Sequence, residues 1–237
     1  ITGGQFVSSA EKVFKALPLV TRVQFKRATQ VFPELAEHPL LARLEGIPFS
    51  ESIAVNGYGW NRFLSSPHWA SLTELDLSRL KLSPHCWHGL FSNVGLLSKI
   101  TSLNLNSTQF GADLFERLVG CEQLAGLKQL SLAFNRVNSS SAAALANCPH
   151  LSNLESVQLK DNTIGRKGLI AISKSPYFKN LRTLRVANNR ITSKWIQALL
   201  ESSSLPALMI VHVWDVGVTD DDMTKLRERF TVIDRSY

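Results

Sequence analysis

Residues 127–137 read LKQLSLAFNRV, residues 154–164 read LESVQLKDNTI, and residues 181–191 read LRTLRVANNRI. The three stretches begin 27 residues apart and can be laid over one another without a gap. With the first residue numbered 0, positions 0, 3 and 5 are apolar in each. Position 4, between two of them, is Ser131, Gln158 or Arg185, and position 8 is Asn135, Asn162 or Asn189. Successive strand side chains point to opposite faces, so positions 3 and 5 share one face and position 4 takes the other. Further copies start at Leu72, Ile100 and Leu208, and the six from Leu72 onward are spaced 28, 27, 27, 27 and 27 residues apart. Two more divergent copies start at Val20 (VTRVQF) and Leu44 (LEGIPF). In all eight, positions 0, 3 and 5 are apolar and position 4 never is.

The rest of each copy has a different period. From the Leu72 copy onward, position 15 carries Trp87, Phe115, Ala142, Leu169, Ile196 and Met223. Position 18 carries Leu90, Leu118, Leu145, Ile172, Leu199 and Leu226. A spacing of three puts both on one helix face, which would lie against the strands. Pro39, Pro67, Pro149 and Pro176 then stop the helix, because a ring without an N–H cannot continue it and the residue before it is pushed to an extended conformation. The Asn at position 8 can satisfy turn backbone groups after the strand, and copies with Leu80, Thr108 or Val216 there should turn differently. Extra residues near Asn56-Gly57 and near Asn93–Gly95 fall in the turn or after the helix.

A strand plus a helix repeated every 27 or 28 residues predicts an α/β solenoid. One copy cannot bury its own apolar face, and stacking makes a continuous core. The pattern L-x-x-L-x-L-x-x-N-x-L is that of the leucine-rich repeat. The expected architecture is a curved horseshoe with a parallel concave sheet and convex helices. The whole of 1–237 is read as one such domain: a helical cap over 1–19, eight repeats over 20–218, and a last helix with C-terminal cap over 219–237. The N-terminal cap is expected as a helix over 6–17 with Ser8 or Ser9 as its N-cap. The C-terminal helix follows Thr219, with acidic Asp220–Asp222 in its first turn and basic residues in its last, which suits the helix dipole. TVIDRSY should add a closing strand.

The phrases SSPHWASLTELDLS, NCPHLSNLESVQL and KSPYFKNLRTLRV, with the ALPLVTRVQF start and the KLRERF ending, carry a resemblance. The chain resembles ribonuclease-inhibitor-like leucine-rich repeats, and within them planctomycete-type bacterial proteins in which a companion segment precedes the repeats. The resemblance implies a binding or scaffolding role and no catalytic residue, substrate or cofactor. The opening ITGGQFVSSAEKVFKAL has no initiator Met and reads as the interior of a longer chain.

Of the 237 residues 44% are hydrophobic and 19% charged, enough apolar character for a large core and against disorder. No apolar run is long enough to span a bilayer, so no membrane association is expected. Cys86, Cys121 and Cys148 are few and odd in number, which points to a reducing, cytoplasmic setting rather than a disulfide framework. The net charge of +7 comes from 26 basic and 19 acidic residues that are mixed along the chain. Nucleic acid or another acidic surface is therefore the alternative partner, disfavoured because such binding needs a concentrated basic stripe.

The concave face is the expected binding surface for a protein partner of unknown identity, the chain itself acting as a non-enzymatic monomer. Positions 2, 4, 6 and 7 project there. They supply Arg22 and Lys26 early, Asp76 and Asn104 in the middle, and Phe134, Gln158, Lys160, Arg185, His212 and Trp214 late. Arginine and exposed aromatics are the usual interface anchors, so Phe134, Arg185, His212 and Trp214 form the best patch. Two environments are open for Trp214, exposed on this face or packed under the C-terminal cap. Phe134, at the strand edge, has the turn as its alternative. The cluster SPHCWHGL at 83–90 looks like a metal or nucleophile site, but it reads as the first turns of a helix with Trp87 inward. His85 and His88 sit where other copies place Asp, Lys, Glu or Gln. Cys121 and Cys148 share position 21 and read as small buried residues filling equivalent holes. No metal, cofactor or catalytic residue is expected.

Overall fold

The computed structural model describes residues 1–49, 54–55, 57–215 and 217–233. Asn56 of the expected turn, Val216 and the last residues of TVIDRSY lie outside them. The chain forms two compact units, Ile1–Thr108 and Gln109–Tyr237. The boundary falls inside the fourth repeat, after its strand and before its helix.

The first unit opens with helix α1 (Gly3–Ala16), which starts three residues earlier than the apolar pattern indicates. Its cap is Thr2, not Ser8 or Ser9. Thr2 Oγ1 accepts the N–H of Gln5 at 3.1 Å, and Gln5 Oε1 accepts the N–H of Thr2 at 2.9 Å. This reciprocal box satisfies two amides that a helix start leaves unpaired, so the helix begins where the box is. Phe6 and Phe14 face inward from α1. Phe6 meets Phe25 edge-on at 5.2 Å, and Phe25 contacts Phe63 at 6.5 Å. Where the later repeats use leucine or valine at position 5, the first two use Phe25 and Phe49, and this end of the core is aromatic. Helices α2 (Phe32–Ala36) and α3 (Gly57–Leu64) contribute Phe32 and Phe63, whose rings lie 4.8 Å apart. Strands β1 (Gly46–Pro48), β3 (Glu74–Asp76) and β5 (Ser102–Asn104) pair in parallel, with Ile47, Leu75 and Leu103 in register. A second parallel pair joins β2 (Ala54–Val55) to β4 (Lys81–Leu82). Helix α4 (Pro84–Phe91) is followed by a short helix α5 (Val94–Leu97). The extra length near Asn93 goes into this turn: Asn93 Oδ1 caps it by accepting the N–H of Leu96 at 3.0 Å.

The second unit repeats one plan. Strands β6 (Gln129–Ser131), β7 (Ser156–Gln158), β8 (Thr183–Arg185), β9 (Ile210–His212) and β10 (Thr231–Ile233) form a parallel ladder with Leu130, Val157, Leu184, Val211 and Val232 in register. The closing strand expected from TVIDRSY is β10. Helices α6 (Ala112–Val119), α7 (Ser139–Ala146), α8 (Gly165–Ser173), α9 (Ser193–Leu200) and α10 (Asp220–Arg229) follow the turns. Thr219 and Asp222 form a capping box at α10, so the acidic run is a helix start. In both units every described residue at positions 3 and 5 is buried, as are all twelve at positions 15 and 18. At position 0 only Val20, in the most divergent copy, is part-exposed.

Two side-chain ladders tie neighbouring repeats together. Asn135, Asn162 and Asn189 are buried at position 8. Asn162 Oδ1 accepts the amides of Asn135 at 3.2 Å and Val137 at 3.1 Å in the preceding repeat. Its Nδ2 donates to the carbonyls of Leu132 and Leu159, both at 2.9 Å. Asn135 Oδ1 receives Phe110 N at 2.9 Å, and Asn189 Oδ1 receives Ile164 N at 3.3 Å. In the last repeat Asp215 takes over, accepting the amides of Asn189 at 3.0 Å and Ile191 at 2.8 Å. Thr108, which replaces Asn in the fourth repeat, donates its hydroxyl to Leu105 O at 2.8 Å. The second ladder is at position 21. Ser175 Oγ donates to Ala146 O at 2.5 Å, and Cys148 Sγ donates to Val119 O at 3.1 Å. Each reaches the carbonyl that ends the helix of the preceding repeat. Cys148 is therefore a thiol in a serine's place, and burial pushes the thiols of both Cys121 and Cys148 up from their ordinary pKa.

Candidate functional site

Six of the repeats share one backbone bend after the strand. Position 7 is left-handed in Arg27, Arg79, Ser107, Phe134, Asp161 and Asn188, with φ between 48° and 64°. The bend aims the position-7 amide at the carbonyl of position 6 in the next repeat. Phe134 N reaches Lys160 O at 3.0 Å, Asp161 N reaches Ala187 O at 3.0 Å, and Asn188 N reaches Trp214 O at 2.9 Å. Left-handed backbone costs an L-residue roughly 1–2 kcal/mol, less for Asn and Asp. A phenylalanine there is out of place on local grounds.

In the second unit the bend and the strand together build an outward-facing surface. Gln158, Arg185 and His212 stand side by side at position 4, flanked in register by Ser131 and Ile233. Arg185 is part-buried, and burial lowers its pKa. Its Nη1 donates to Ser156 Oγ at 3.2 Å. Among the described residues no carboxylate lies within ion-pair distance of it. His212 is held below its ordinary pKa by burial and then by the neighbouring Arg185 charge. Its Nε2 is buried without a hydrogen-bond partner among the described residues. At the bend, Lys160 lies 5.7 Å from the centre of the Phe134 ring and 3.7 Å from Asp161 Oδ2. Asn188 Nδ2 donates to Asp161 Oδ1 at 2.8 Å.

Phe134 is 55% exposed and Trp214 54% exposed, which answers both questions left open by the sequence. Neither ring is buried, in the turn or under the cap. Position 6 is not uniformly outward, however: Ala133 and Ala187 are buried there. Ser156, the contact of Arg185, escaped the sequence reading. The signal was available, since position 2 lies diagonally across one strand from position 4 on the same face.

The four candidates in the first unit are placed differently. Arg22 forms an ion pair with Glu74 across the intervening strand. The pair passes over Gly46, where a Cβ would come within 3.2 Å of Arg22 Cγ and 3.3 Å of Glu74 Oε2. Lys26 is exposed, but its backbone is paired with the chain start through Ile1 O and Gly3 N, both at 3.0 Å. Asp76 Oδ1 accepts Ser78 N at 2.9 Å and Asn104 Oδ1 accepts Asn106 N at 3.1 Å. Gln158 in the second unit does the same, its Oε1 accepting Lys160 N at 3.1 Å. These three oxygens are engaged in ending their own strands.

The SPHCWHGL cluster is a helix start capped by Ser83. Trp87 is inward as expected, but Cys86 is also fully buried, with Sγ 3.2 Å from Val55 O. His85 faces outward and contacts Asn61 at 3.2 Å. Among the described residues no three His, Cys, Asp or Glu side chains are grouped so as to hold a metal ion. No helix among them is long and apolar enough to cross a membrane.

With this geometry, the comparisons with known proteins agree on the fold. A model of the family described as Leucine Rich repeat matches residues 150–173. Three solved structures are similar. The human trophoblast glycoprotein 5T4 (Wnt-activated inhibitory factor 1) is 22% identical, with a TM-score of 0.54 over 84% of this chain and 71% of that one. An internalin, InlF, from Listeria monocytogenes is 13% identical, with a TM-score of 0.52 over 86% and 64%. A protein from Bacteroides fragilis is 10% identical, with a TM-score of 0.62 over 99% and 83%. No curated protein sequence matches. The chain has the α/β fold of leucine-rich repeat proteins. Leucine-rich repeat proteins are in general protein-interaction modules and typically not enzymes. None of the matches bears on the planctomycete-type resemblance.

Proposed function

We propose that the chain is a non-enzymatic interaction module whose outward strand face in the second unit binds a protein partner, with Phe134 and Trp214 as its apolar anchors. One observation carries the reading. Two large aromatic rings, each more than half exposed, stand just beyond strands of one ladder, and one of them occupies a backbone conformation that disfavours it. Retaining a costly, exposed ring makes sense where a partner covers it. Tryptophan and arginine are the residue types that dominate binding energy in protein interfaces, and Arg185 stands in the row beside them. Nucleic acid is the weaker reading, because Arg185 is the one cation on the strand rows of this face without a carboxylate neighbour among the described residues. A reducing, cytoplasmic setting goes with the proposal, supported by three buried free thiols.

The test uses a photoreactive amino acid at position 214, with position 167 on the exposed side of α8 as control. A partner adduct should form from 214 and not from 167. It should be lost in Phe134→Asn, which keeps the fold because Asn188 already adopts the same bend. Trp214→Ala should weaken the captured partner by about tenfold or more. Equal adducts from both positions would sink the proposal.

A further inference from the structure

Arg185 is the feature of this face that the fold leaves unexplained. The guanidinium carries five N–H donors in a planar fork. One hydrogen bond from it is made to a neutral hydroxyl, Ser156 Oγ at 3.2 Å. The other charges on the face are already engaged. Lys160 is 3.7 Å from Asp161, which also accepts from Asn188, and Asp215 accepts two backbone amides. The neighbours of Arg185 along the row are Gln158 and His212, neither of them acidic. A part-buried cation without a counter-charge is unfavourable, and it lies on the row between the Phe134 and Trp214 ends of the exposed surface. We propose that the partner segment seated on this face brings the missing anion, an Asp or Glu carboxylate that pairs with the Arg185 fork beside an apolar side chain held by Trp214. The inference rests on the protein-binding reading above and adds the chemistry of the partner. A carboxylate matches a single planar fork in two parallel hydrogen bonds. A polyphosphate backbone instead calls for a stripe of cations, which this face lacks.

The experiment selects random displayed dodecapeptides on the purified full chain, then measures synthetic copies of the winners by calorimetry. Winners should carry Asp or Glu next to an aromatic or aliphatic residue. Replacing that acid by its amide should weaken binding to the wild-type chain by about tenfold or more, an arm that requires no altered protein. In Arg185→Gln the acid and amide peptides should bind alike, and Arg185→Lys should fall between, since it keeps the charge and loses the fork. Winners without acid, or an amide change that is silent while Trp214→Ala abolishes binding, overturn the carboxylate and leave the protein-binding reading standing. Winners that bind Trp214→Ala, Phe134→Asn and Arg185→Gln like the wild type overturn both. Displacement of the peptides by a short oligothymidylate at moderate salt also overturns the proposal, in favour of a nucleic acid.

Discussion

Replacing Asn162 by Ala should be among the most damaging single changes in the second unit, although it removes only one polar side chain. The side-chain oxygen of Asn162 accepts two backbone amides, Asn135 N and Val137 N, and its nitrogen donates to the carbonyls of Leu132, Leu159 and Lys160 at 2.9, 2.9 and 3.2 Å. The residue is buried, so water does not readily replace it. Leaving a buried donor or acceptor unpaired costs about 1–3 kcal/mol each. The two amides lose their acceptor outright, while the carbonyls keep a second lone pair, so the total comes to about 3–5 kcal/mol. That is well above the ~1 kcal/mol of an ordinary substitution. The damage should be local first, because the orphaned amides belong to the bend of the preceding repeat. Hydrogen exchange read by mass spectrometry is the suitable assay: it resolves peptides and does not require the two units to unfold together. Protection over 133–139 should fall by about two to three and a half orders of magnitude at 1.4 kcal/mol per tenfold. Asn147→Ala, which loses one exposed contact to Ala143 O, should change it little. A loss under about 1 kcal/mol for Asn162→Ala, or protection lost evenly across the unit, would refute the ladder argument.

Two further outcomes follow from buried polar groups. Cys148→Ser should stay within about 1 kcal/mol of wild type in urea unfolding, since Ser175 makes the equivalent bond to Ala146 O; Cys148→Val should lose about 1–2 kcal/mol by orphaning Val119 O. Acidification should destabilise the chain. His212 and His38 are both held below the ordinary value of 6.5, mainly by burial. From near 6.5 down to the folded-state values the unfolded chain binds more protons, and stability falls as pH falls. The drop in melting temperature between pH 7.5 and 5.5 should be smaller in His212→Asn than in wild type, and equal drops would show that His212 is not coupled to folding.

The strands and the inward helix positions were legible because a repeat samples the same environment many times. An apolar requirement at positions 3, 5, 15 and 18 leaves a periodic trace that single-site noise does not hide. Position 14 is as well buried in most copies, yet it was missed. It carries Cys86, Ser141, Gly168, Trp195 and Asp222, five chemistries in one buried place. Each meets a local demand of its neighbour. Trp195 donates its indole N–H to Leu169 O at 3.0 Å, Asp222 caps α10, and a Cβ on Gly168 would meet Ala142 Cβ at 3.0 Å. The left-handed bend at position 7 was hidden for the opposite reason. Its job is done by the backbone amide, so the side chain is free to vary, and Arg79, Phe134 and Asn188 look unrelated. At the chain start, the apolar spacing placed α1 correctly in kind but not in origin, since the Thr2–Gln5 box is a local signal outside the apolar stripe.

The same bend separates structural from available residues among the candidates. At position 4 a side chain with an oxygen two or three bonds out can accept the amide two residues ahead, where the strand is about to turn. Asp76, Asn104 and Gln158 all do so, and such local bonds are the usual fate of short polar side chains at turns. Arg185 cannot: guanidinium has no acceptor. It must therefore find its partners sideways or outward, and sideways it finds one hydroxyl. Polar character at position 4 is thus not by itself a sign of function. An acceptor there is explained by the repeat, and a donor is not. By that criterion the candidates reduce to the stretch of the second unit where the position-4 row changes from Gln158 to Arg185 and His212. There the exposed Trp214 follows the end of β9 by two residues, and the exposed Phe134 holds the bend after β6.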